Sequence, residues 1–275
     1  MDPDNYQKTP DECCLSFASG IFREYSAKHL VSEYVKQNPK FVDRAIKNQK
    51  YIEHLNEESI KLLKEDAVLI VALAAISKHK TFDPDILTRC LNNKLTDPEL
   101  KSFNEKIDHY LHAGIFKLNL DSMYNNIPIY SGFDRFIYLS ADNIRHFLEL
   151  CYQSLALYFD SVNAIHDGFI DIANMNSIPP TRMHDAAKAV SQKLVKDIGS
   201  YAPLGQALNV LTVRLAEIFY ILHQDRLSEP EINHFSLDSN AFEGGLERLL
   251  NQALCWNVLI DHPNTKEKNS LRKRI

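Results

Sequence analysis

The chain has 275 residues, of which 45% are hydrophobic, and its formal net charge is −5. This length and apolar content predict one or two packed domains and exclude a fibrous or disordered protein. The acidic balance excludes binding of nucleic acid by the surface as a whole, so any such binding must be local.

The cysteines and the longest apolar run bear on location. The five cysteines show no CxxC spacing, which predicts a reduced cytoplasmic protein rather than a disulfide scaffold or a zinc module. The longest apolar run is Ala67–Ile76, with ten residues. It is too short to span a bilayer, and its position excludes a secretory signal. We interpret it as a buried helix and expect no contact with a membrane.

The first half of the chain is predicted to be helical, because aliphatic residues recur there at steps of three and four positions. The segment 119–134 is rich in asparagine, proline, serine and glycine and is predicted to be a linker. Before it, we predict helices over Cys13–Val35 and Val42–Leu55, an apolar helix opened by Asn56, and helices that start near Pro84 and Pro98.

A strongly amphipathic helix follows the linker, and Ser140 or Asp142 is predicted to cap it. Its apolar residues are predicted to face the core as one stripe: Ile144, Phe147, Leu148, Cys151, Leu155 and Phe159. Arg145 lies in the first turn, where a positive charge opposes the helix dipole. Two interpretations stay open. Arg145 either pairs with Glu149 one turn away or reaches outward to a ligand.

The last third of the chain has the element order of a winged helix, which is three short helices and a β-hairpin. The predicted helices cover Leu208–Leu222, a segment from Ser228 to Phe235, and Phe242–Ala253; a further helix, 182–198, precedes them. Trp256–Ile260 is predicted to be a strand, and Leu271–Ile275 could return beside it. A plain helical bundle is the alternative.

Sequence signatures of catalysis are missing from the 275 residues, since GxxxxGKS, GxxxxGKT, GxGxxG, HExxH and GxSxG do not occur. We therefore expect no hydrolysis of nucleotides by this chain alone. Histidines beside carboxylates, such as His184 beside Asp185, are interpreted as surface polar residues, and no metal is predicted. A helical enzyme with dispersed acid and histidine residues is a further alternative, but no constellation supports it.

Basic residues are concentrated at the C-terminus, where residues 261–275 hold five basic and two acidic side chains. On a winged helix, such residues would contact phosphates, and polar residues of the third helix would contact phosphates or base edges. The alternative is a solvated tail. The candidate DNA-binding residues are Arg248, Asn251, Gln252, Lys266, Lys268, Arg272, Lys273 and Arg274.

The stretch LSADNIRHFLELC at 139–151 resembles the start of the lid helix in AAA+ ATPases of the replication-initiator clade. These are the origin-recognition and archaeal initiator proteins, together with related bacterial ATPases often found in phage-defence contexts. Weaker similarity extends over residues 125–275, including Tyr130–Asp134 and Ser228–Glu231. The chain departs from the family at Asp142, where the family has glycine, and it contains no phosphate-loop core.

The resemblance implies that Arg145 senses the γ-phosphate of ATP, which a core domain outside this chain would bind. It implies double-stranded DNA or a protein as partner, next to an ATPase core or oligomer neighbours. The predicted fold is mainly α, a helical bundle and lid followed by a C-terminal winged-helix domain with a small β-hairpin. We assign 1–120 to a helical region, 121–178 to a lid-like segment and 179–275 to the winged helix. The alternative function is a helical protein-interaction scaffold that does not bind nucleic acid.

Overall fold

The computed structural model of the chain describes residues 20–47, 49–79, 82–121, 127–141, 143–162, 177–225, 235–237, 244–261 and 273–274. These residues are mainly helical, as predicted. The helices are α1 (Ala27–Gln37), α2 (Lys40–Ile46), α3 (Glu57–Glu65), α4 (Ala67–Ile76), α5 (Pro84–Leu91), α6 (Asp97–Asp121), α7 (Phe133–Ser140), α8 (Ile144–Val162), α9 (Pro180–Asp197), α10 (Gly205–Asp225) and α11 (Gly245–Cys255). Short 3₁₀ helices cover Lys50–His54 and Ile198–Ser200, and two strands cover Ser236–Leu237 (β1) and Lys273–Arg274 (β2).

Side-chain caps set the starts of the helices between residues 56 and 85. Asn56 accepts a hydrogen bond from the Ser59 N–H at 2.8 Å and begins α3. Asp66 accepts one from the Leu69 N–H at 2.9 Å and begins α4. The stretch after Asn56 is therefore two helices, and the prediction of one was wrong because Asp66 caps a second. Pro84 occupies the start of α5, as predicted.

Helix α4 packs closely against α6. The eight residues Leu69–Ile76 are all buried, which confirms the prediction of a buried helix. The backbones approach at Gly114 of α6, where an added Cβ would lie 1.9 Å from the carbonyl oxygen of Val71. Only a residue without a side chain fits there, so glycine in the middle of α6 serves packing rather than helix formation.

The residue contacts divide the chain into two compact units. The first unit comprises residues 1–25, 130–216 and 234–275, and the second comprises 26–129 and 217–233. The predicted division at residues 120 and 178 stays a prediction. The core of the first unit consists of Phe22, Phe136, Leu150, Ile178, Met183, Ala187 and Val190.

An extended stretch before α1 forms hydrogen bonds with residues at the starts of two helices, α7 and α9. The carbonyls of Ile21 and Phe22 accept hydrogen bonds from the N–H groups of Ile178 and Phe133, both at 2.9 Å. The Glu24 carboxylate accepts one from the Asp134 N–H at 2.6 Å, in the first turn of α7. The prediction of one helix over Cys13–Val35 was therefore wrong around residues 23–26, because this stretch bonds to distant backbone instead.

The chain turns back on itself after α11. Asn257 has φ of 53°, and the Val258 N–H bonds to the Ala253 carbonyl at 2.8 Å. Such a left-handed residue ends a helix and is well tolerated by asparagine. The strand predicted over Trp256–Ile260 was wrong for this reason. Val258 and Leu259 instead pack against the small core of Ile198, Leu208 and Ala253.

The two short strands form an antiparallel pair in which Ser236 lies opposite Arg274 and Leu237 opposite Lys273. Strand β2, near the C-terminus, thus pairs with β1, which precedes α11 in the chain. Phe235 leads into β1 and is not helical, so the helix predicted through it was wrong at that end. Ser228–Glu231 and Phe242 lie outside the described residues.

Candidate functional site

Asn143 caps the start of α8. Its side-chain oxygen accepts hydrogen bonds from the N–H groups of Arg145 at 3.0 Å and His146 at 3.4 Å. The Ser140 hydroxyl instead donates to the Ile137 carbonyl at 2.7 Å, so the prediction that it caps α8 was wrong. Asp142 lies outside the described residues. The asparagine cap fixes the first turn of α8 and with it the position of Arg145.

Helix α8 turns one apolar face inward and leaves another exposed. Phe147, Leu150 and Cys151 belong to or pack against the core of the first unit, and burial raises the pKa of the Cys151 thiol to about 11. In contrast, Ile144, Leu148 and Tyr152 are 69%, 58% and 70% exposed.

We call these three residues the apolar ridge. They share one side of the helix because they are four positions apart. Helix α8 carries two neighbouring apolar stripes, and the sequence pattern does not say which one packs. The prediction that Ile144 and Leu148 face the core was therefore wrong.

Arg145 is exposed beside this ridge. Glu149, which was one predicted partner, is instead bonded by the ammonium group of Lys193 on α9. No carboxylate in the part of the chain that the structure describes lies within ion-pairing distance of Arg145. The guanidinium therefore points into solvent at the start of a helix.

Lys193 adds a second positive charge near Arg145. The hydrogen bond and charge of Glu149 raise the pKa of Lys193, while the nearby charge of Arg145 acts in the opposite direction. Arg145 thus lies near the ion pair of Lys193 and Glu149, and the Asp197 carboxylate also acts on Lys193.

His184 of α9 is buried, with 4% of its surface exposed, so the interpretation as a surface residue was wrong. Its Nδ1 accepts a hydrogen bond from the Tyr130 N–H at 3.4 Å, and the two rings stack at 5.3 Å. Nε2 has no hydrogen-bond partner. Burial, with a smaller effect of the Lys188 charge, lowers the pKa of His184 to about 4. It serves as a neutral packing and hydrogen-bonding group in the first unit.

The candidate DNA-binding residues are only partly described. On α11, Arg248 and Asn251 are exposed and Gln252 is half-buried. Lys273 and Arg274 form β2, of which the structure gives the backbone pairing. Lys266, Lys268 and Arg272 lie outside the described residues. The assignment of these residues to DNA binding stays a prediction.

Metal ligands and membrane-spanning helices are the remaining features of the described residues. Among the described residues, no group of three or more histidine, cysteine, aspartate or glutamate side chains could hold a metal ion. The segment Gly205–Leu222 of α10 is long and apolar enough to cross a bilayer, with a mean hydropathy of 1.2 and 11% of its residues buried. Core helices of soluble proteins also reach this length and composition.

The mainly helical fold fits a protein related to initiator-type AAA+ ATPases. A family model described as ORC-CDC6-like matches residues 6–275. The match covers nearly the whole chain, and the chain therefore belongs to the ORC-CDC6-like family. Neither a curated protein nor a solved structure matches it.

Proposed function

We propose that the chain is the lid and winged-helix module of an initiator-type ATPase and that it binds DNA in a nucleotide-coupled way. One observation carries the proposal. In a chain of the ORC-CDC6-like family, Arg145 is exposed at the start of α8, and Glu149 is engaged by Lys193 instead.

The position of Arg145 suits recognition of a triphosphate. A helix N-terminus favours negative charge, so a phosphate that meets Arg145 there gains from both the guanidinium and the helix dipole. Arginine also bonds phosphate oxygens with two parallel N–H groups. ATP held by a core domain would then favour the lid position in which Arg145 touches the γ-phosphate. This differential binding would couple nucleotide to DNA affinity.

The nucleotide part of the proposal is tested in an assembly of this chain with an ATPase core. Arg145→Ala is expected to lower ATP turnover on the order of 10²-fold, as loss of one donor to a developing charge does. Arg145→Lys is expected to recover only part of it, because lysine does not form the two-pronged bond. Lys101→Ala, which alters an exposed lysine of α6, is the matched control. Unchanged turnover in Arg145→Ala would contradict the sensor role.

The DNA part of the proposal rests on Arg248 and Asn251, exposed one turn apart on α11, and on the basic C-terminal residues. Fluorescence anisotropy of a labelled duplex is measured as a function of salt concentration. Affinity is expected to fall steeply with salt, and each lost phosphate contact lowers the slope by roughly one. Arg248→Ala should therefore reduce the slope, while Lys101→Ala should not.

Other parts of the proposal follow from the same assignment. ATP would be held by a core domain outside this chain, no metal is held by this chain, and ATPase neighbours in an oligomer are partners. The protein would work in the cytoplasm, in reducing conditions compatible with the unpaired Cys90, Cys151 and Cys255. A role in phage defence, as in the bacterial ATPases that the chain resembles, is part of the same proposal.

The apolar ridge favours a second candidate function, a helical scaffold that binds another protein. Exposed apolar side chains in a row are typical of protein contact surfaces. The salt titration separates the two functions. Absence of duplex binding at low salt, together with tight binding of a protein that Leu148→Asp abolishes, would favour the scaffold.

A further inference from the structure

A pair of stacked aromatic rings lies at the end of α11. The ring centroids of Tyr201 and Trp256 are 4.6 Å apart, and the ring planes are inclined by 17°. The indole Nε1–H of Trp256 donates a hydrogen bond to the Ala202 carbonyl at 3.2 Å, and Trp256 is 44% exposed. Because Tyr201 covers one face of the indole, the exposed area belongs mainly to the opposite face and the edges. We call the two rings the aromatic platform.

The surrounding structure holds the aromatic platform in place. Tyr201 packs against the small core that contains Leu208. Trp256 is the C-cap residue of α11, and its backbone N–H bonds to the Gln252 carbonyl at 3.0 Å. All of these residues belong to the first compact unit. Both rings are therefore fixed before a ligand arrives, so stacking of a ligand on Trp256 requires little further ordering of the protein.

A row of side chains leads along α11 to the aromatic platform. Arg248, Gln252 and Trp256 follow one another at steps of four positions, so they lie along one row of the helix surface. Arg248 is exposed and Gln252 is half-buried. Within the described ranges, no carboxylate lies at ion-pairing distance from Arg248. The exposed Glu247 lies about 100° around the helix from Arg248. The row therefore offers one positive charge and ends at an aromatic face.

We propose that the aromatic platform stacks an unpaired base of DNA on Trp256 while Arg248 bonds a phosphate of the same strand. The inference rests on the proposed DNA binding and adds that the bound duplex carries a short single-stranded overhang. Every base has a π face, so such stacking tolerates different sequences. Arg248 and Trp256 are about 12 Å apart along the helix at a rise of about 1.5 Å per residue. This length corresponds to roughly three to four nucleotides of a stacked strand at about 3.4 Å each.

The combination of one cation and one aromatic face favours nucleic acid over other ligands. An uncharged peptide, such as a proline-rich segment, could stack on Trp256 but would gain nothing from the charge of Arg248. Inorganic phosphate could bind Arg248 but would not use the aromatic platform. The bases inside a blunt duplex are stacked on one another and offer no free face. An unpaired base with its neighbouring phosphates uses both groups.

Overhangs with and without bases test the inference. A duplex with a short thymidine overhang is compared with the same duplex whose overhang carries abasic sugars, so that the phosphates are equal in both. Fluorescence anisotropy of the labelled duplexes should show about tenfold tighter binding when the bases are present. Trp256→Ala should abolish this difference, and Trp256→Phe should keep part of it. Arg248→Ala should weaken the binding of both duplexes alike.

The wild-type chain provides a second measurement, because Trp256 is its only tryptophan. Unlabelled DNA with the thymidine overhang should quench the tryptophan fluorescence as it binds, whereas the abasic overhang should not. This measurement holds even if Trp256→Ala fails to fold, which circular dichroism checks. The matched control is Tyr138→Ala, which removes an exposed aromatic ring from α7 and should bind both duplexes as the wild type does.

Three outcomes overturn the inference and leave the proposed duplex binding intact. The first is equal affinity of the wild type for both overhangs, without quenching. The second is a preference for the base-bearing overhang that persists in Trp256→Ala. The third is equal quenching by thymidine monophosphate at the same concentration, since the aromatic platform would then hold free nucleotides. If no DNA of any kind binds at low salt, both the inference and the proposed DNA binding are wrong.

Discussion

Helices α4 and α10 are both strongly apolar, and the protein uses them differently. Residues Leu69–Ile76 of α4 are all buried, whereas 11% of the apolar segment of α10 is buried. Helix α4 has no charged residue between Ala67 and Ile76, while α10 carries Arg214 and Glu217 within its exposed face. Apolar content alone therefore does not distinguish a helix that holds the protein together from one that presents a surface. The placement of a few charges does.

The largest effect is expected at the contact between α4 and α6. In Gly114→Ala, the new methyl group would lie 1.9 Å from the Val71 carbonyl oxygen, so the helices must separate. The free energy of unfolding should fall by about 3 kcal/mol, despite the better helix propensity of alanine. Urea denaturation measures it. Gly245→Ala, where nothing lies within 4 Å, is the control. Equal stability of both variants would show that α4 is not tightly held.

Two leucines on α8, one buried and one exposed, form a matched pair for measuring what burial contributes to stability. Leu150 is 4% exposed and Leu148 is 58% exposed. Leu150→Ala should lower the free energy of unfolding by about 2.5 kcal/mol, through lost burial and a cavity. Leu148→Ala should change it by less than about 0.5 kcal/mol. Similar losses for both, in chemical denaturation, would mean that the apolar ridge contributes to the core.

The pH dependence of stability tests the contribution of the buried, neutral His184. Its pKa is about 4 in the folded chain and 6.5 ordinarily, so between these values the unfolded chain binds the proton. The contribution of neutral His184 is complete above pH 6.5 and is lost as the pH falls towards 4, with roughly 2 kcal/mol lost by about pH 5. His184→Gln should remove this part of the slope in denaturation curves recorded across that window. An unchanged slope would mean that a different titratable group causes this pH dependence of stability.

The smallest stability effect is expected at Lys193. Its bond to Glu149 is exposed, and exposed ion pairs contribute little, so Lys193→Gln should leave the melting temperature unchanged. The substitution also releases Glu149 to pair with Arg145 one turn away. ATP turnover in the assembly with a core should then fall although the fold is intact. Turnover equal to wild type would show that Lys193 does not keep Arg145 available.

Strong local signals in the sequence predicted much of the helical framework. The charge-free run Ala67–Ile76, the proline at position 84 and the periodicity after Ile144 each specify a helix without help from distant residues. The helix cap at Asn143 was missed because Ser140 and Asp142 are equally good caps by residue type. Backbone direction, not residue preference, decided between them.

The parts that escaped prediction depend on contacts between residues far apart in the sequence. Glu149 pairs with Lys193 on another helix, and His184 is buried and stacks on Tyr130. The first contact follows from the packing of α8 against α9, and the second from the packing of α9 against the residue Tyr130 before α7, which residue spacing does not reveal. The turn at Asn257 was missed because Trp256–Ile260 has strand-like composition, while one asparagine in a left-handed conformation ends the helix.

The hydrogen bonds of Ile21, Phe22 and Glu24 to Ile178, Phe133 and Asp134 have a practical consequence for handling the protein. Helix α1 begins only at Ala27. Judged by the helix boundaries alone, a shortened version starting at Ser26 would keep α1 and all later helices. It would nevertheless remove Phe22 from the core and the backbone partners of two helix starts more than a hundred positions downstream. Proteolytic trimming at this end should therefore loosen α7 and α9 together.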